Sequence, residues 1–188
     1  MSFKLSNYFN RAILFIDNSN LLNVLKDVTG NMDCNGVRVH YGKLVDFFEE
    51  YLSSERIKIK EVILYDGEVI SDVCKRGKKE RFLNSVNLIL SKKGISFIAK
   101  IYPIDLTREK NVKQVDSAIV VDILSKAVRR EMDVVILISG DRDFVPLLKE
   151  VKENFRLPVI VSFFDKGLSK ELKEESFFIK LELDKISF

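Results

Sequence analysis

Cysteine and histidine are scarce in this chain. Among its 188 residues there are two cysteines, Cys34 and Cys74, and one histidine, His40. The cysteines lie far apart and neither has a Cys-x-x-Cys partner, which excludes a disulfide scaffold and a zinc finger. His40 has no second His or Cys nearby with which to share a metal, so it reads as a surface or helix-start residue, not a catalytic one. No apolar run approaches the roughly 20 residues that span a bilayer. Internal repeats, low-complexity tracts and linker-like compositions are also missing. Met1 to Arg11 carries neither an apolar signal core nor a small-residue cleavage site, so the expectation is a water-soluble protein of the cytoplasm with no membrane partner.

What is present suits one globular domain over residues 1–188, with 46% hydrophobic and 31% charged residues to build a single core. A net charge of +3 is too small to indicate nucleic acid by itself. The distribution of charge says more. Lys75, Arg76, Lys78, Lys79 and Arg81 crowd together, interrupted only by Gly77 and Glu80. Such a run is either a solvated helix start or a surface for a polyanion backbone.

Short apolar runs alternate with segments of helical periodicity. Ala12–Ile16, Val62–Tyr65, Ile95–Ile101, Val134–Ile138 and Val159–Phe163 read as strands, and 19–28, 41–53, 78–92, 115–130, 143–155 and 168–175 as helices. Within 115–130, Ile119, Val120, Ile123, Leu124 and Ala127 form an apolar stripe able to pack on a sheet. This order is the βαβ signature of an α/β protein with a mostly parallel sheet. Residues 29–37 and 103–114 read as loops that border a substrate channel, and Phe177–Leu183 as a last edge strand.

Two of the strands run straight into acids. Ala12–Ile16 leads into Asp17-Asn18-Ser19-Asn20, and Val134–Ile138 into Ser139-Gly140-Asp141-Arg142-Asp143-Phe144. Strand ends of this kind lie at the carboxyl edge of a sheet, where open α/β folds bind their ligands. Together with Asp116 they give four candidate carboxylates, Asp17, Asp116, Asp141 and Asp143, an all-oxygen set suited to Mg²⁺ or Mn²⁺. Each has a plainer reading. Asp143 fits a helix N-cap with Pro146 tolerated in the first turn, and Asp116 fits a first-turn acid favoured by the helix dipole. Asn18 or Ser19 fits a cap for the helix that begins near Leu21, and Asn20 fits either a cap or a phosphate ligand. Asp141 is harder to explain as a cap, because two carboxylates as close as Asp141 and Asp143 repel unless a cation sits between them. Asp122, six positions after Asp116, falls off the same helix face and is a supporting candidate only. Asp66, before Gly67, reads as a peripheral or turn residue.

Taken in order, Phe15-Ile16-Asp17-Asn18-Ser19-Asn20-Leu21, Lys113-Gln114-Val115-Asp116 and Ser139-Gly140-Asp141-Arg142-Asp143-Phe144-Val145-Pro146-Leu147 resemble the motifs of NYN domains of the LabA-like group, within the PIN-like nuclease superfamily. The resemblance covers nearly the whole chain. It implies a three-layer α/β/α sandwich around a mostly parallel sheet in the order 3-2-1-4-5, which would bring Asp17 and Asp141 together. It also implies metal-binding acids at Asp17, Asp116, Asp141 and Asp143, a polar site residue at Asn20 and a hydroxyl near metal or phosphate at Ser139. The chain departs from the pattern at Gln114, where many relatives have glycine, and at Ser176, where an aspartate commonly precedes the final Phe-Ile-x-Leu segment.

The implied activity is that of a metal-dependent ribonuclease, with Mg²⁺ or Mn²⁺ lowering the pKa of a bound water and offsetting the charge of the transition state. Lys75, Arg76, Lys78, Lys79 and Arg81 would hold the flanking RNA backbone, and a homodimer paired through a helix face is a further expectation. Two rivals stand beside it. One is a module that binds RNA or protein with little turnover. The other is a phosphatase with a strand-end Asp nucleophile, which wants a second acid two residues on; Ser19 occupies that position.

Overall fold

The computed structural model describes residues 10–29, 39–69, 73–104 and 113–187. Cys34, most of the two expected loops and the side chains of Lys75 and Arg76 lie outside the described residues. The strands are β1 (Asn10–Asp17), β2 (Ile57–Val69), β3 (Ser96–Ile104), β4 (Val134–Ile138), β5 (Val159–Phe163) and β6 (Phe177–Lys180). They form one sheet in the order β3-β2-β1-β4-β5-β6, with every neighbouring pair parallel. The helices are α1 (Asn18–Thr29), α2 (Tyr41–Tyr51), α3 (Val73–Lys92), α4 (Lys113–Val128), α5 (Val145–Glu153), α6 (Lys170–Glu175) and α7 (Leu183–Ile186). None among the described residues is long and apolar enough to cross a membrane.

Strand periodicity divides the core into two layers. On β1, Ala12, Leu14 and Ile16 point to a cluster with Leu21 and Leu25 of α1, Leu44 and Phe48 of α2 and Leu90 of α3. Ile13 and Phe15 point the other way, to Ile119 and Ile123 of α4 and Leu147, Leu148 and Val151 of α5. β4 repeats the pattern, with Val134, Ile136 and Ile138 on the first face and Val135 and Leu137 on the second. Successive side chains of a strand alternate between faces, so the same parity decides where the residues that follow each strand are aimed.

Three boundaries differ from expectation for identifiable reasons. β2 extends from Ile57 to Val69, well beyond Val62–Tyr65, because β3 pairs with Glu61 through Val69 and supplies the ladder where the side chains turn polar. α3 starts at Val73 and not at 78; it carries Gly77 in its interior, a residue that weakens helices and so hid the first turn. The helix expected from 143 is split into a 3₁₀ turn, Arg142–Phe144, followed by α5 with Pro146 in its first turn. The tail adds β6 as a sixth parallel strand and then α7, whose Ile186 carbonyl accepts the N–H of His40 (2.7 Å). His40 itself caps α2, with Nδ1 accepting the N–H of Lys43 (3.0 Å).

Candidate functional site

The sheet order makes β1 and β4 neighbours, so their carboxyl ends lie side by side at the point where the chain departs to opposite sides. Asp17 and Ser139 follow the parity of Phe15 and Leu137 and share one face. Asp17 is 3% exposed. Its Oδ2 accepts the hydroxyl of buried Ser139 (3.1 Å), and its Oδ1 accepts the N–H of Asn20, the third residue of α1 (3.1 Å). That second bond is the one an N-cap makes, so Asp17 caps α1 and neither Asn18 nor Ser19 does. The capping role proposed for Asp143 likewise moves. Asp141 caps the 3₁₀ turn through Oδ1, which accepts the N–H of Asp143 (2.9 Å), and α5 has no side-chain cap bond of its own.

Gly140 and Asn20 join the two acidic segments. The Asn20 Oδ1 accepts the N–H of Gly140 (3.0 Å), and the N–H of Asp141 donates to Ser139 Oγ (3.2 Å). From the other side, the N–H of Ser169 donates to the Gly140 carbonyl (3.0 Å). A Cβ at Gly140 would stand 2.1 Å from the carbonyl oxygen of Gly167, itself in the left-handed region at φ +90°. Only glycine allows that approach.

Asp116, in the first turn of α4, completes the electrostatic picture. Burial chiefly, and then the charges of Asp116 and Asp141, push the Asp17 carboxyl up to about 6 against the opposing Asn20 N–H and Ser139 hydroxyl. Asp116 is raised by burial and by the charges of Asp141 and Asp143. The four acids therefore share one negative field. Among the described residues none of the four forms an ion pair, and none donates a hydrogen bond to Asp116. Their donor set is carboxylate oxygen alone, which fits a hard divalent cation and lacks the nitrogen and sulfur that zinc favours. Among the described residues no three such side chains stand at the spacing of metal ligands.

Other sequence candidates are placed elsewhere. Asp66 follows the parity of Val62 and Leu64 and lies on the opposite face, where it accepts Asn18 Nδ2 (3.0 Å) and Ser19 Oγ (2.9 Å) and pairs with Lys79 (2.8 Å). Lys79 also donates to the Gly67 carbonyl (3.1 Å), so it is engaged within the fold. Lys78 and Arg81 are exposed on α3, and Arg81 Nε donates to the Gly77 carbonyl (3.2 Å). Asp122 accepts the Tyr65 hydroxyl and the Lys100 ammonium and stays apart from the acidic set. Tyr41, Tyr65 and Lys100 are polar partners that no local pattern singled out, since each meets a group distant in sequence.

A family model described as NYN domain matches residues 11–182. Among solved structures, the fold is similar to that of a protein of unknown function from Vibrio parahaemolyticus RIMD 2210633, with a TM-score of 0.68 and 19% sequence identity. The likeness covers 98% of this chain and 99% of that one, and at such identity it speaks to the fold alone. No curated protein matches the chain significantly.

Proposed function

This chain belongs to the NYN domain family, part of the PIN-like nuclease superfamily, and from that premise we propose that it is a metal-dependent endoribonuclease of the LabA-like kind. The observation that carries the proposal is the shared field of Asp17, Asp116, Asp141 and Asp143, acids from distant parts of the chain that raise one another's proton affinity with no described cation to offset them. Asp141 lends one oxygen to a cap and keeps the other for the ion, while Asp17 lends Oδ1 to a cap and offers the ion the remaining lone pair of Oδ2, which also accepts Ser139. The Ser139 hydroxyl fixes the direction of the Asp17 carboxylate. Asp116 offers both of its oxygens, and exposed Asp143 serves as a fourth or water-mediated ligand.

A bound Mg²⁺ or Mn²⁺ supplies a water of lowered pKa and a counter-charge for the pentacoordinate phosphorus. The chain's own residues do the remainder. Asn20, its carbonyl committed to Gly140, keeps its amide N–H groups for a phosphate oxygen. Lys75, Arg76, Lys78 and Arg81 hold the flanking backbone, while Lys79 remains with Asp66. One observation favours a second reading, an RNA-binding module with little turnover: the absence among the described residues of three acids already at ligand spacing. Cleavage of a mixed-sequence RNA separates the two. The nuclease predicts products with Mn²⁺ that disappear with EDTA and in Asp141→Asn; equal cleavage under all three conditions sinks it, and retained affinity without cleavage selects the binding module.

A further inference from the structure

The first turn of α1 touches both acidic strand ends. Its Asn20 N–H binds Asp17 and its Asn20 carbonyl oxygen binds the N–H of Gly140, next to Asp141. Whatever fixes this turn therefore fixes the separation of the two carboxylates. The two residues between Asp17 and Asn20 are both held from the opposite face of the sheet by Asp66. Its Oδ2 accepts Asn18 Nδ2 (3.0 Å) and pairs with Lys79 (2.8 Å), while its Oδ1 accepts Ser19 Oγ (2.9 Å) and the Gly67 N–H (2.9 Å). Behind Asn18 stands the buried Tyr41, whose hydroxyl donates to Asn18 Oδ1. With four donors on one carboxylate, two from α1, one from β2 and one from α3, the turn can neither rotate nor slide without breaking a charge-assisted bond.

We propose that Asp66 is a positioning residue for the site: it clamps Asn18 and Ser19 from the far face of the sheet, Lys79 is its counter-charge, and the clamp sets the relation of Asp17 to Asp141. The assignment rests on the nuclease reading, yet it makes a claim about α1 that can be read without catalysis. A misplacement of about 1 Å at the reacting groups costs on the order of 100-fold in rate. Asp66→Ala is accordingly expected to lower kcat for RNA by about 100-fold with KM within about twofold of wild type. Asp66→Asn, which keeps an acceptor for Ser19 and Gly67, should recover part of that loss. The salt dependence of KM in Lys79→Met should match wild type, whereas a slope reduced by about one would make Lys79 a phosphate contact and overturn its role here.

Amide hydrogen exchange supplies the readout that needs no turnover. Residues 18–22 should exchange at least about tenfold faster in Asp66→Ala while residues 135–138 of β4 keep their protection. If Asp66→Ala fails to fold, Ser19→Ala removes one bond of the clamp and should show the same change at smaller amplitude. Should wild type cleave no RNA, the nuclease reading falls and exchange alone decides the clamp. Unchanged exchange at 18–22 in a folded Asp66→Ala or Ser19→Ala variant, or a kcat equal to wild type, overturns the proposal.

Discussion

Acids in two regions of this fold are treated in opposite ways. Toward α1 and α3, Asp66 gathers four donors including the Lys79 ammonium, and along α4, Asp122 is matched by Tyr65 and Lys100 and Lys126 by Glu61. At the carboxyl edge facing α4 and α5, Asp17, Asp116, Asp141 and Asp143 have no described cation, and two of them are held above the ordinary carboxylate range. Elsewhere the fold matches several half-buried acids with cations. Under the proposed function, the crowding of these four would mark a place where stability is given up for a ligand.

Activity separates the two regions most directly. Asp17→Asn or Asp141→Asn should reduce RNA cleavage by on the order of 100-fold or more, as expected for groups that stabilise transition-state charge. Asp122→Asn, a change in the paired region, should stay within about tenfold in the same assay. Equal losses at both places would erase the distinction.

Stability sharpens it next, through pH. A carboxyl raised from 3.8 to about 6 keeps its proton longer in the folded state than in the unfolded one. Its contribution is fully present below about pH 4 and is lost as pH rises through about 6, by about 3 kcal/mol at most. Metal-free Asp17→Asn should therefore be more stable than wild type at pH 7 in urea titrations and show a flatter pH profile over that window. In the paired region Asp122→Ala should instead destabilise by on the order of 1–2 kcal/mol, since it leaves the Tyr65 hydroxyl and Lys100 without their acceptor and the pair is partly screened. Mn²⁺ should then reverse the first order. At about 100 times its Kd it stabilises wild type by about 2.7 kcal/mol and Asp17→Asn by much less, which a thermal shift reads directly. The smallest effect belongs to exposed Lys78: Lys78→Ala should leave the melting temperature alone and reduce the salt slope of RNA binding by about one.

Legibility in the sequence followed the range of the interactions. The interior strands β1, β4 and β5 appear as unbroken apolar runs because both of their faces are buried, and their ends located Asp17 and Asp141. What fails is whatever depends on partners far along the chain. Asp66 resembles a turn residue until Lys79 and Ser19 are brought to it by β2 and α3, and Asp122 resembles a supporting acid until β3 delivers Lys100. The capping readings erred differently. Cap and site read from sequence as alternatives, yet Asp17 and Asp141 do cap, and in the proposed function the same side chains would also serve the site.

The seat of Gly140 against the Gly167 carbonyl bears on how rigidly this edge is held. Asp17, Asn20, Gly140 and Asp141 are locked to one another through backbone groups, and no side chain at position 140 can yield to let them spread. This half of the site behaves as a fixed jaw. Asp116 alone of the four acids stands on α4, outside this network. Under the proposed function, packing beneath α4 at Val115 and Ile119 would set where Asp116 stands relative to the other three acids, and so would bear on ion choice from within the core.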